Sequence, residues 1–215
     1  MERDFWLERW ELDQTGFHQS EVNPYLERYG HRLKGKVFVP LCGKSLDMSW
    51  LARQGAEVLG VELSPIAVRA YFEENGLAAT CVPCGKLESH EANGIRILCG
   101  DFFDLERSDM EGFSAVYDRA SMVALPVEMR ERYVRHLMSI LPEAAKILLI
   151  TFDYPQAEMS GPPFAVSVEE VERLYRDLAT IELLDQADVL EPRFAERGVT
   201  RMQENVFLLT RSAAS

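Results

Sequence analysis

The chain has 215 residues, 35 of them Asp or Glu against 23 Lys or Arg, so its formal net charge is −12; 47% are hydrophobic and 27% charged. That length and balance fit one domain with a buried core rather than a disordered tail, and the acidic excess disfavours a nucleic-acid grip, which takes clustered Lys and Arg. No apolar run approaches the ~20 residues of a membrane helix, no basic-then-apolar leader opens the chain, and four irregularly spaced cysteines make no disulfide scaffold, so a soluble cytoplasmic protein is expected.

The first 35 residues stand apart from the rest of the chain. Phe5, Trp6, Leu7 and Trp10 make an aromatic-rich helical start, Thr15-Gly16-Phe17-His18 reads as a turn, and residues 22–29 as a second helix. Such an extension serves either as a lid over a site or as a packed cap without chemistry, and both readings stay open. Beyond it, short apolar runs alternate with helix-like segments, the pattern of an α/β domain with a mostly parallel sheet. Residues 37–41 form a strand that runs into Cys42-Gly43-Lys44-Ser45, and 46–54 a helix that Gly55 closes. Residues 57–62 are the second strand; Ser64-Pro65 caps a helix over 66–75. Residues 95–99, ending at Gly100-Asp101, and 113–117, ending at Asp118-Arg119, are further strands. A helix over 128–141 stops at Pro142, and 145–152 is an apolar strand of the kind found inside a parallel sheet. Residues 168–178 are a helix opened by Ser167, with Glu170 completing a capping box. The late strands 180–184 and 205–210 suit an antiparallel pair at one edge.

In an open α/β sheet the ligand lies beyond the carboxyl ends of the strands, near the reversal of strand order. The residues just after each strand are therefore the candidates. Glu62 ends the second strand about 20 positions past Gly43, where an acidic side chain accepts hydrogen bonds from both hydroxyls of a ribose. The turn before it has one glycine, Gly43, where a dinucleotide site wants G-x-G-x-x-G to cradle a pyrophosphate. A nucleoside without phosphates, such as S-adenosylmethionine, suits it better, with Lys44 either balancing that ligand's carboxylate or simply lying on the surface. Asp101 and Phe102 fall on the adenine side. Arg119 lies where a transferred group would sit; it stabilises an anion, unless Asp118 beside it neutralises it. No metal is expected: Cys81-Val82-Pro83-Cys84 lacks a second pair at zinc-finger spacing, and His18, His31, His90 and His136 are scattered. No G-x-S-x-G elbow supports a hydrolase.

Taken together, Trp6-x-x-x-Trp10, Gly16-Phe17-His18, Pro40-Leu41-Cys42-Gly43-Lys44-Ser45, Gly60-Val61-Glu62-Leu63-Ser64, Asp118-Arg119, Gly161-Pro162-Pro163-Phe164, Phe194-Ala195-Glu196-Arg197 and Val206-Phe207-Leu208-Leu209-Thr210 resemble the thiopurine S-methyltransferase family, above all its bacterial members. The resemblance runs nearly end to end and implies a single class I, Rossmann-like methyltransferase domain over 1–215 with helices on both sheet faces and residues 1–35 as a lid. It implies S-adenosylmethionine as cofactor, held by Trp10, Leu41, Glu62 and Arg119 with Trp6 in the same wall. Asp101 and Phe102 match the adenine side, although vertebrate relatives lack the aspartate. Phe17 matches a residue touching both cofactor and substrate, and Arg119 and Arg197 match arginines near the substrate. The implied substrates are aromatic and heterocyclic thiols, with selenium and tellurium species and tellurite resistance linked to bacterial members, and the implied state is a monomer.

The expected reaction is an in-line displacement in which a thiolate takes the sulfonium methyl, so alignment and exclusion of water dominate. Trp6, Trp10 and Phe17 would flank the sulfonium, where cation–π attraction is worth about 0.5–2 kcal/mol. Two other readings use the same residues: a nicotinamide oxidoreductase, against which the single-glycine turn counts, and a non-catalytic module that sequesters a nucleoside or metalloid. Methylation of nucleic acid is disfavoured, since Asp118-Arg119-Ala120 is no N-P-P-Y-type motif.

Overall fold

The computed structural model describes residues 3–16 and 18–213. Its strands are β1 (Lys36–Val39), β2 (Glu57–Glu62), β3 (Thr80–Cys84), β4 (Leu87–Ala92), β5 (Ile95–Cys99), β6 (Phe113–Asp118), β7 (Lys146–Asp153), β8 (Ala179–Asp188) and β9 (Gln203–Arg211). They join one sheet in the order β3-β4-β5-β2-β1-β6-β7-β9-β8. The five strands from β5 to β7 run parallel. β9 pairs antiparallel with β7, and β8 with β9, which gives the antiparallel edge expected from the sequence.

The helices are α1 (Arg3–Glu11), α2 (Pro24–Tyr29), α3 (Leu46–Arg53), α4 (Pro65–Glu74), α5 (Ser121–Ala124), α6 (Val127–Ile140), α7 (Val168–Tyr175) and α8 (Pro192–Ala195). They divide between the sheet's two faces because side chains alternate along a strand. In β1, Val37 and Val39 pack with Leu26, Met48, Val68 and Tyr71 of α2–α4, while Phe38 between them packs with Tyr133, Leu137 and Val171 of α6 and α7. Burying each large apolar side chain is worth about 1.5–3 kcal/mol, and a one-residue slip of β1 would turn Phe38 and the two valines into each other's layers, where their volumes no longer match.

Local chemistry sets the helix ends. Ser45 and Ser64 accept from the backbone N–H groups of Asp47 and Ala67, capping α3 and α4. Asn23 caps α2, which therefore begins at Pro24 rather than Val22. The capping box of α7 is half formed. Ser167 Oγ accepts from the Glu170 N–H, but the Glu170 carboxylate turns to Arg130 instead of reaching back.

One expectation was too sparse. A second antiparallel edge, the β3–β4 hairpin, continues into β5. Its strands carry Pro83, Glu88, His90 and Glu91 and lack an apolar run, so hydrophobic pattern does not reveal them. The turns do: Gly85 (φ +59°) leads a two-residue loop, and Asn93-Gly94 (φ +51° and +76°) has the φ signs of a type I′ hairpin turn.

Candidate active site

The chain builds β1, β2 and β5 outward in one direction and β6 and β7 in the other, so strand order reverses between β1 and β6. Beyond the carboxyl ends at that reversal lies a cavity of about 1440 Å³. A single small ligand fills roughly 300–1,000 Å³, so two fit side by side. Trp6, Trp10, Leu41, Gly43, Glu62, Asp101 and Phe102 line it, as do Arg119, Pro162, Arg197 and Glu204.

Glu62 is 7% exposed and positioned through its own hydrogen bonds. Oε2 accepts from the Gly43 N–H at 2.9 Å and Oε1 from the Ser64 N–H at 2.7 Å. Burial pushes its carboxyl above the usual range, opposed by the backbone N–H groups of Ser64, Gly43 and Leu63. An ionised carboxylate has about four acceptor positions, so each oxygen retains capacity for a ligand hydroxyl. The turn that brings Gly43 here is tight: Leu41 (φ +46°) and Gly43 (φ +52°) are both left-handed, and Cys42 N–H donates to Val61. A Cβ on Gly43 would stand 3.4 Å from the Trp10 ring. Trp10 is buried, so α1, lying beside α4, closes over the turn.

Arg119 pairs with Asp47, not with the adjacent Asp118 of the alternative reading. Its Nε donates to Asp47 Oδ2 at 3.1 Å and its Nη2 to Ser45 Oγ at 3.4 Å, while the Tyr117 hydroxyl donates to the same Asp47 oxygen at 3.0 Å. Asp118 points away into the core, where Tyr133 Oη (2.6 Å) and the Ser121 N–H (3.1 Å) donate to it. Successive residues of a strand face opposite sides, which is why the sequence neighbour is not the partner. Arg119 keeps further N–H donors for a ligand. Lys44 Nζ lies 2.5 Å from Glu74 Oε1, its side chain is 16% exposed, and the residue does not line the cavity.

Asp101 Oδ1 caps a short 3-10 turn through the Phe103 N–H (2.9 Å), leaving its other oxygen for a ligand. Phe102 lines the cavity from a buried seat among Phe38, Tyr133 and His136, a fixed wall. Arg197 lies at the rim, exposed, just past α8. Phe17 falls outside the described residues; the His18 N–H donates to the Thr15 carbonyl at 2.8 Å. The cis bonds Gly161-Pro162 and Pro162-Pro163 shape the wall opposite, where Tyr154 Oη donates to Pro163 at 2.6 Å.

Among the cavity residues that the sequence reading did not single out are Glu204 and His18. Glu204, on β9, accepts no hydrogen bond from a described residue; burial pushes its carboxyl up to about 6, against the pull of Arg119. It sits one residue into β9, where nothing local distinguishes it from a solvated carboxylate. His18 also lines the cavity, its imidazole held below its usual range by burial and then by Lys44.

A Rossmann-like sheet with an acidic residue closing β2 beside a single-glycine turn defines the class: an S-adenosylmethionine-dependent methyltransferase. The fold is shared with Burkholderia thailandensis 1,6-didemethyltoxoflavin-N1-methyltransferase, solved with 1,6-didemethyltoxoflavin and S-adenosylhomocysteine (TM-score 0.66, 13% identity, 98% of this chain and 87% of that one). The profile of the thiopurine S-methyltransferase family matches residues 1–212, and the chain belongs to that family. It is 58% identical to the thiopurine S-methyltransferase of Nitrosospira multiformis over 99% of this chain and 100% of that one. Identity to the Pseudomonas aeruginosa enzyme of the same name is 50%, over 98% and 100%.

Proposed function

We propose that the cavity holds S-adenosylmethionine at its β1–β2–β5 end and a small aromatic or heterocyclic thiol at its β6–β7–β9 end. The observation that carries this is Glu62, fixed by two backbone N–H groups with acceptor capacity left over, in the same cavity as a paired Arg119. When bound, the donor supplies a methyl group activated by a sulfonium, and the thiolate sulfur forms the new C–S bond as the old bond's electron pair returns to the departing sulfur.

The chain's residues do the remaining work. Glu62 takes the ribose hydroxyls and Asp101 the adenine side; Trp6 and Trp10 exclude water. Arg119, its direction fixed by Asp47, favours the thiolate over the thiol. Glu204 accepts the thiol proton or a ring N–H, and a group titrating at about 6 is matched to that task at neutral pH. Arg197 at the rim meets anionic substituents. Softer selenium and tellurium nucleophiles ask for the same in-line geometry and belong to the proposed range. We take residues 1–35 as a lid, and the working protein as a cytoplasmic monomer.

Methyl transfer from labelled S-adenosylmethionine to a panel of aryl thiols, selenols and tellurols tests the reading. Arg119→Ala is expected to lower kcat/KM about 10–150-fold, the worth of one charged hydrogen bond, and to move the acid limb of the pH profile; an unchanged rate and profile would remove the role. Glu204→Gln is expected to erase an apparent pKa near 6 from kcat/KM while leaving donor affinity intact. Heat on titration with NAD and none with S-adenosylmethionine would reverse the assignment altogether.

A further inference from the structure

The Cys81-Val82-Pro83-Cys84 segment lies along β3, where residues three apart stand about 10 Å apart on opposite faces. The two thiols therefore share neither a bridge nor an ion. Cys81 instead meets the neighbouring strand. Its register partner is His90, and Glu88, two residues earlier on β4, projects from the same face. Cys81 Sγ lies 3.9 Å from His90 Nε2, and Glu88 Oε1 lies 2.7 Å from that nitrogen. One ligand atom from each of the three falls within 4.8 Å of the other two. The His90 ring is braced by the Phe72 ring of α4, with centroids 6.4 Å apart and planes 25° apart. None of the three lines the cavity.

We propose that this hairpin is a binding site for a divalent cation of the zinc class, ligated by Cys81 Sγ, His90 Nε2 and a Glu88 carboxylate oxygen, with solvent completing a tetrahedron. One sulfur, one imidazole nitrogen and one carboxylate oxygen form a borderline-soft donor set, whereas magnesium and calcium want oxygen ligands alone. Bond lengths of about 2.0–2.3 Å to such a cation place its ligand atoms roughly 3.3–3.7 Å apart, so small side-chain rotations close the geometry. Formation of the sulfur–metal bond releases the Cys81 thiol proton to solvent, and the Glu88–His90 hydrogen bond is replaced by two metal bonds. The cation then staples the outermost strand, β3, to β4, adding stability by mass action to an edge with an unpaired side.

Cobalt(II) added to the reduced, chelator-treated full-length protein is the direct probe. The expected result is one equivalent bound, with tetrahedral visible bands and a thiolate-to-cobalt charge-transfer band. Zinc is expected to displace it and magnesium is not. Cys81→Ser is expected to abolish the charge-transfer band. His90→Ala is expected to weaken binding by more than the roughly 10–100-fold that loss of an outer-shell partner costs. Cys84→Ser, on the opposite face, is expected to change neither, and unaltered binding of S-adenosylhomocysteine verifies that each variant is folded. No saturable band, a band that survives Cys81→Ser, or one lost with Cys84→Ser overturns the proposal.

Discussion

Glu62 shapes the protein with the same two oxygens that the proposed cofactor site offers to a ribose. It closes the Gly43 turn and the start of α4 through backbone N–H groups, so its geometry exists before a ligand arrives. Glu62→Gln places an amide N–H₂ against one of those donors. Affinity for S-adenosylhomocysteine, read by calorimetry, is expected to fall about 10–150-fold for a loss of roughly 1.5–3 kcal/mol. Urea unfolding is expected to show a further loss of about 1–3 kcal/mol for the unpaired buried N–H. Glu204 works in the other direction on stability. Its carboxyl rises from 4.5 to about 6 on folding, so the folded state holds the proton more tightly. That contribution is complete below pH 4.5 and is lost as pH rises through about 6, a span worth up to about 2 kcal/mol. Glu204→Gln is accordingly expected to be more stable than the parent at pH 8 and equal to it near pH 4, in paired urea titrations.

The elements hold together through a few buried polar ties that the sequence pattern does not display. Arg130, on α6 and 2% exposed, donates from Nε to the Leu125 carbonyl at 2.9 Å and from Nη1 to Glu170 on α7 at 2.7 Å. Removing one member of a buried pair strands the other, at about 3–5 kcal/mol. Arg130→Ala is expected to lower the unfolding free energy measured in urea by about that amount, and the Arg130→Ala, Glu170→Ala double variant to lose less than the sum of the singles. This tie also explains why Glu170, in a capping-box position by sequence, does not complete the box. The helices and the parallel strands were legible because their periodicities are strong and their caps local. The β3–β4 hairpin was not, because its edge strands are polar, and its Gly85 and Asn93-Gly94 turns were the available clue.

For the whole molecule, the reversal of strand order between β1 and β6 brings distant segments to one cavity. A ligand that bridges them binds the folded state alone. S-adenosylhomocysteine at about 100 times its dissociation constant adds about 2.7 kcal/mol, and the melting temperature of a domain this size is expected to rise roughly 5–10 °C. NAD at equal concentration is expected to leave it unchanged, as measured by scanning fluorimetry.

The parallel strands, the longer helices, the single-glycine turn and the acidic end of β2 were readable from the chain, because each depends on spacing within a few turns of the backbone; the β3–β4 hairpin and the short helices α5 and α8 were not. Which carboxylate pairs with Arg119 was not: the choice fell to Asp47, distant in sequence, over adjacent Asp118. Nor did local pattern single out Glu204 among the acidic residues, or bring Cys81 to His90 instead of Cys84. Those outcomes depend on which face of a strand meets which neighbour, and on how deeply a group is withdrawn from water, and both are settled only when the sheet is assembled and its helices pack against it.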